Sequence, residues 1–213
     1  MRVLSILFIA VLFSFVSSST QANAFQKKAW DIYSQAQLES EISFSTFTKG
    51  YLEHLKHGRK PILSIIDYTL PSSFPRMWII DLAEKKLVNF SHGTNSGTLF
   101  ATQFSNTINS KQTSLGTYRG AEVYYGKHGR SLRLDGLSEG NSNARKRAIV
   151  IHGADYANPD VITKIGMLGR SWGCPAVPSE DTNMVVDYLK DGATIYTLTN
   201  LDNPYLLAKK QRL

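Results

Sequence analysis

The chain holds a single cysteine, Cys174, inside the run Gly169-Arg170-Ser171-Trp172-Gly173-Cys174-Pro175-Ala176-Val177. A thiol used as a nucleophile needs help, because at a pKa of ~8.5 only a few per cent is ionised at neutral pH. A nearby imidazole supplies that help. His152, which closes the apolar run Ile149-Val150-Ile151, is the candidate base. A histidine at the end of a strand is held rigidly. Gly173 has no side chain and lets a substrate approach the backbone before Cys174. The N–H groups of Gly173 and Cys174 are candidate donors to a developing oxyanion. Ser171 could orient a catalytic group. Arg170 could bind a substrate carboxylate, the competing reading being a solvated surface arginine. Trp172 would pack beside the thiol and shape the pocket, and His128, in a loop flanked by Gly126 and Gly129, could line the cleft. Together these residues point to a thiol used as a nucleophile; the bland alternative is an inert, buried thiol.

Other chemistries find little support. His54 and His57 have helical spacing suited to a metal, but no further ligands accompany them. Asp155 follows His152 by three residues, a weak metal signal. The glycine-rich loops lack a phosphate-binding pattern. No metal and no cofactor are expected.

These residues must be positioned by strands. Ala29–Leu38 reads as a short helix, and a second, capped by Ser45, would bury Phe47, Tyr51 and Leu55 and end at Gly58 and Pro61. Ile62–Asp67 is an apolar strand. Arg76–Leu82 and Leu87–His92 read as a hairpin across residues 83–86. Glu122–Tyr125 and Ser131–Leu134 are short strands, Ala148–His152 is a β-branched one, and Ala193–Thr199 is the last. Asp181–Leu189 reads as a helix with Met184, Val185, Tyr188 and Leu189 inward and Ser179 as cap. The polar, glycine-rich stretch Gly93–Gly120 is a long loop, and loops of that length are usually functional. The fold class is therefore mainly β with short helices (α+β), a sandwich or barrel-like core behind a small helical lead-in.

The N-terminus has the layout of a secretory leader. Arg2 is followed by the apolar run Val3–Val16 and the small-x-small site Ala22-Asn23-Ala24. The run is shorter than the ~20 residues a bilayer crossing needs. The expected division is 1–24 signal peptide, 25–61 helical lead-in and 62–213 catalytic domain. No membrane anchor would persist after cleavage, and the periplasm is the expected location. With 24 basic against 17 acidic residues the net charge is +7, which favours anionic surroundings such as a cell wall. The basic residues are scattered without a nucleic-acid-binding module, so no nucleic-acid partner is expected. One cysteine excludes an intramolecular disulfide. No feature specifies an oligomeric state.

The cysteine block resembles the L,D-transpeptidases, a family with a histidine, a gap of somewhat under twenty residues, then Ser or Thr, His, Gly and Cys. Here His152 is followed after eighteen residues by Ser171-Trp172-Gly173-Cys174. Thr113-Ser114-Leu115-Gly116-Thr117-Tyr118 is similar to the family's Thr-Pro-x-Gly-x-aromatic turn. Phe104-Ser105-Asn106, Tyr125-Gly126-Lys127-His128-Gly129 and Ser131–Leu137 extend the likeness, which runs from Ile62 to Thr197 and looks like the murein L,D-transpeptidase catalytic domain branch. Trp172 stands where the common motif has its second histidine, and Pro175 and Ala176 replace an apolar residue and Asn or Arg. The resemblance implies that peptidoglycan stem tetrapeptides are the partners. It implies a Cys174 thioester, release of D-Ala and 3→3 crosslinking, without cofactor. Hydrolysis of the same acyl-enzyme, as an L,D-carboxypeptidase or endopeptidase, is the alternative, and a non-catalytic wall-binding module is the alternative outside enzymology.

Overall fold

The computed structural model describes residues 21–81 and 84–199. Most of the leader lies outside the described residues. The chain divides into two compact units, one up to Thr48 and one from Lys49 onward. The division falls inside a helix rather than near Pro61. In the first unit, helix α1 spans residues 21–35. The buried Tyr33 donates its hydroxyl to the Ile42 carbonyl at 2.6 Å, and its ring packs edge-on against Phe44.

Helix α2, Phe44–His57, begins one residue before the expected cap and leads into the second unit. The Thr46 N–H bonds to Ser43 Oγ at 3.1 Å, so Ser43 rather than Ser45 serves its first turn. Phe47 and Tyr51 are buried as the spacing predicts, but Leu55 is 55% exposed, because in the last turn His54, with Nδ1 3.3 Å from Thr194 Oγ1, takes the inward position.

The second unit carries an eight-stranded mixed sheet. Its strands are β1 Ile62–Asp67, β2 Met77–Asp81, β3 Glu84–Val88, β4 Gly116–Gly126, β5 Gly129–Gly136, β6 Val150–Gly153, β7 Ala176–Val177 and β8 Thr194–Leu198. The order is β3-β2-β1-β8-β4-β5-β6-β7. The β1–β8 and β6–β7 pairs are parallel; the remainder are antiparallel. The sheet also approaches closure. Beyond β3, the Ser91 N–H bonds to the Ala176 carbonyl of β7 at 2.8 Å, and Gly93 bridges Ser171. Pairing both ends of the sheet removes exposed edges, as in a barrel.

Two sequence expectations needed correction here. The β2–β3 connection is tighter than residues 83–86, since Glu84–Lys86 already pair with Ile79–Asp81. The short strands at 122–125 and 131–134 are the middle of one long hairpin, β4–β5. Glycines at 116, 120, 126, 129 and 136 mask its length in the sequence. Tertiary pairing overrides their weak strand preference.

Helix α3, Pro159–Ile165, was not anticipated; Asn158 precedes it and Gly166, at φ +76°, stops it. Helix α4, Thr182–Leu189, packs on β1, β4, β5 and β6. It buries Val185, Val186 and Leu189, with Met184 and Tyr188 partly covered. Each aliphatic side chain buried this way stabilises by roughly 1.5–3 kcal/mol. Ser179 does not cap it; its hydroxyl donates to Asp155 at 2.8 Å. The core is filled by Ile66, Ile79, Phe90, Leu132, Leu134, Ile151 and Ile195.

Candidate active site

β6 and β7 run side by side, with His152 opposite Ala176. The His152 N–H donates to the Pro175 carbonyl at 3.2 Å. Parallel pairing thus ties the histidine's strand to the residues directly after Cys174. A gap of some twenty residues, including α3, is what a parallel connection requires. His152 is 3% exposed. Its Nδ1 lies 2.9 Å from the Gly153 carbonyl. An oxygen there can only accept, so Nδ1 carries the proton and Nε2 is left as the basic nitrogen. Burial holds the ring's pKa below the ordinary histidine value, opposed by the Gly153 carbonyl and reinforced by the neighbouring His128 and Lys127. The imidazole is therefore neutral at neutral pH.

Cys174 is half-buried and free. Its thiol faces the Ala148 carbonyl at 3.6 Å. Burial pushes its pKa up, while the Val150 N–H, Arg147 and Lys127 pull the other way. Burial thus favours the uncharged form of each group, the thiol of Cys174 and the imidazole of His152.

Ser171 ties the loop before Cys174. Its backbone is pinned by Ser171 N–H to the His92 carbonyl at 3.0 Å and by Thr94 N–H to its own carbonyl at 2.7 Å. Its hydroxyl accepts from the Gly173 N–H at 3.0 Å and donates to the Cys174 carbonyl. Gly173 has φ +109°, and a Cβ there would lie 2.7 Å from the Gln112 carbonyl oxygen. Glycine is required twice, by conformation and by space. Because the Gly173 N–H is turned to Ser171, only the Cys174 N–H of the two expected oxyanion donors makes no hydrogen bond among the described residues.

The remaining expected residues fall on the rim. His128 occupies the tip of the β4–β5 hairpin and stacks on His152, ring centres 4.1 Å apart. Trp172 is 72% exposed rather than packed against the thiol. Arg170 donates to the Gly97 carbonyl at 2.8 Å, with Thr94 at 3.4 Å. It braces the 94–97 turn instead of projecting toward a substrate.

The structure adds residues that sequence reasoning missed. Arg147 reaches the Ser105 carbonyl at 2.7 Å and the Gln112 carbonyl, clamping the long loop beside Gly173. The basic run Arg145-Lys146-Arg147 ahead of β6 was the signal available. Tyr156 meets His152 edge-on at 6.4 Å. Its hydroxyl pKa is pushed up to about 12 by burial and then by Cys174. Beneath the loop, the fully buried Arg76 bonds His92 Nδ1 at 2.7 Å and the Phe90 and Leu70 carbonyls at 2.9 Å each. Burial, then Arg76, lowers the His92 pKa to about 3.

A family model described as the L,D-transpeptidase catalytic domain matches residues 35–198. The chain belongs to that family. This L,D-transpeptidase domain is thus of the kind that acts on peptidoglycan. No curated protein matches it. Solved structures similar to it include an L,D-transpeptidase (residues 123–326) from Xylanimonas cellulosilytica, at 13% identity and TM-score 0.39, covering 69% of this chain and 68% of that one. L,D-transpeptidase 3 from Mycobacterium tuberculosis is similar at 10% identity and TM-score 0.43, over 65% and 61%. The helical cell shape determining protein Pgp2 (K307A mutant) from Campylobacter jejuni is similar at 12% identity and TM-score 0.39, over 68% and 50%.

Proposed function

We propose that this L,D-transpeptidase domain works through a Cys174 thioester on peptidoglycan stem tetrapeptides. The observation that carries the reading is the pairing of β6 with the Cys174 segment. It ties the strand that carries a carbonyl-oriented imidazole to the residues directly after the chain's one cysteine.

The donor's third-residue carbonyl carbon is attacked by Cys174 Sγ as His152 Nε2 removes the thiol proton. The oxyanion forms near the Cys174 N–H. Collapse breaks the C–N bond to terminal D-Ala, whose amine leaves with the proton from His152. A side-chain amine of a second stem then attacks the thioester. Its proton passes through His152 to the departing thiolate, and a 3→3 crosslink results. Ser171 and Gly173 hold the nucleophile's backbone; His128 covers one face of the base. The leader pattern at Arg2, Val3–Val16 and Ala22–Ala24 supports export, with action in the periplasm.

The test is incubation of the purified protein with tetrapeptide muropeptides and mass spectrometry of the products, beside Cys174→Ala and His152→Ala. Crosslinked dimers lacking D-Ala, absent from both variants, are expected. D-Ala loss without dimers would move the reading to an L,D-carboxypeptidase. No product and no adduct on Cys174 would refute both and leave a wall-binding module.

A further inference from the structure

Two ammonium groups converge on Trp172. Lys111 Nζ lies 4.5 Å from the centre of its ring and Lys127 Nζ 5.8 Å. They come from separate parts of the chain. Lys111 belongs to the long loop and Lys127 to the β4–β5 hairpin tip, next to the His128 that stacks on the catalytic imidazole. Trp172 itself is two residues from the nucleophile.

Cation–π attraction holds each lysine over the indole, by about 0.5–1 kcal/mol at an exposed site. It does not neutralise either charge. Among the described residues neither lysine is paired with a carboxylate. The sequence withholds one: no Asp or Glu occurs between Glu84 and Glu122, nor between Asp160 and Glu180. These two stretches contain the long loop and the whole nucleophile segment. Other basic residues do have carboxylate partners, as Arg130 has Asp187 at 2.7 Å and Lys164 has Asp160 at 2.7 Å. Both cations therefore stand beside one ring uncompensated, and an anion that reaches this ring meets two positive charges.

The placement of Lys111 is also costly. Its φ is +55°, and that of Asn109 is +62°. Non-glycine residues in this region cost roughly 1–2 kcal/mol and cluster at functional sites. The loop is held in this form by Asn95 Nδ2 to the Ser110 carbonyl at 2.9 Å, Asn95 N–H to the Lys111 carbonyl at 3.2 Å, and Arg147.

We propose that Lys111 and Lys127, gathered on Trp172, form a carboxylate clamp that binds the free C-terminal carboxylate of the donor's leaving residue. This rests on the acyl-transfer reading above. One extended residue spans about 3.5 Å, so a carboxylate one residue beyond the scissile carbonyl stays close to Cys174, as Trp172 does by standing two residues away in the chain. The clamp would select stems ending at that residue over extended or already crosslinked ones, in which the carboxylate is consumed in an amide. Both lysines and Trp172 are exposed, so their replacement leaves the core intact.

The experiment measures binding without turnover, so that it stands apart from the catalytic reading. The full chain carrying Cys174→Ala is titrated calorimetrically with a stem tetrapeptide ending in a free carboxylate. The same peptide is then tested with a C-terminal carboxamide, and with its side-chain carboxylate amidated. The free acid is expected to bind about tenfold tighter than the C-terminal amide, the contribution of a charge-assisted hydrogen bond. In the same protein with Lys111→Gln and Lys127→Gln, that ratio is expected to fall toward one. Equal binding of acid and C-terminal amide overturns the clamp, as does discrimination that survives the double substitution. Sensitivity to the side-chain carboxylate alone assigns the lysines to another carboxylate and overturns the assignment to the terminal one. Should binding discriminate as expected while wild-type protein forms no thioester, the acyl-transfer reading fails and the clamp stands.

Discussion

Replacing Ser171 by alanine tests whether one hydroxyl sets the nucleophile's backbone. Ser171 is buried, and its Oγ bonds at once to the Gly173 N–H, at 3.0 Å, and the Cys174 carbonyl. Alanine leaves the buried Gly173 N–H and the part-buried Cys174 carbonyl without their partner. Each unsatisfied group costs about 1–3 kcal/mol. The loop can relax, because Trp172 beside it is exposed, so a total near 2–4 kcal/mol is expected. For a chain of this size that lowers Tm by roughly 5–15 °C. The freed Gly173 peptide would also let Cys174 leave its place beside the Ala148 carbonyl and the Val150 N–H. Urea unfolding measures the first effect. The rate of Cys174 alkylation by iodoacetamide, compared with the rate of thioester formation on a stem peptide, measures the second. Alkylation needs only an accessible thiol, whereas acylation needs the oriented one. The expected outcome is acylation reduced at least tenfold while alkylation is unchanged or faster, with Ser171→Thr restoring most of the loss. A destabilisation below about 0.5 kcal/mol, or equal slowing of both reactions, would refute the reasoning.

The pH profile of kcat/KM follows from the two shifted groups. His152 titrates below 6.5 and Cys174 above 9.0, so the active neutral pair persists between them. A broad plateau is expected, with an acid limb below the ordinary histidine range and an alkaline limb above the ordinary thiol range. Lys127 disfavours protonated His152 and favours the thiolate, so Lys127→Gln should move both limbs to higher pH. His92 contributes to stability in one direction. Its folded-state pKa, about 3, lies below the unfolded value of 6.5. The stabilisation is complete above pH 6.5 and is lost progressively as pH falls toward 3. Urea midpoints should decline across that window, and His92→Asn, which keeps an acceptor for Arg76 but binds no proton, should flatten the decline.

Much of the candidate site's arrangement was legible in the chain itself. Cys174, Gly173 and Ser171 are neighbours in sequence, and a tight loop brings neighbours together whatever the rest of the fold does. His152 was legible because a β-branched run ending on histidine predicts a strand end. The apolar face of α4 and the strand at Ile62–Asp67 followed from periodicity in the same way. The long hairpin did not, since five glycines interrupt a pattern that only pairing with β6 and β8 sustains. Leu55 and Ser45 failed because nearby residues of suitable type compete: His54 rather than Leu55 turns inward, and Ser43 rather than Ser45 meets the first turn.

Side-chain roles on the rim belonged to tertiary structure alone. Arg170, a plausible carboxylate ligand by type, is occupied by the Gly97 carbonyl. Lys111, Lys127 and Arg147 are ordinary basic residues until the nearly closed sheet brings the long loop, the hairpin tip and the approach to β6 toward the Cys174 segment. Residue type and local spacing determine which groups can react and which neighbours share a turn. The charge around them is summed over segments tens of residues apart, because electrostatic interaction depends on distance in space and not along the chain.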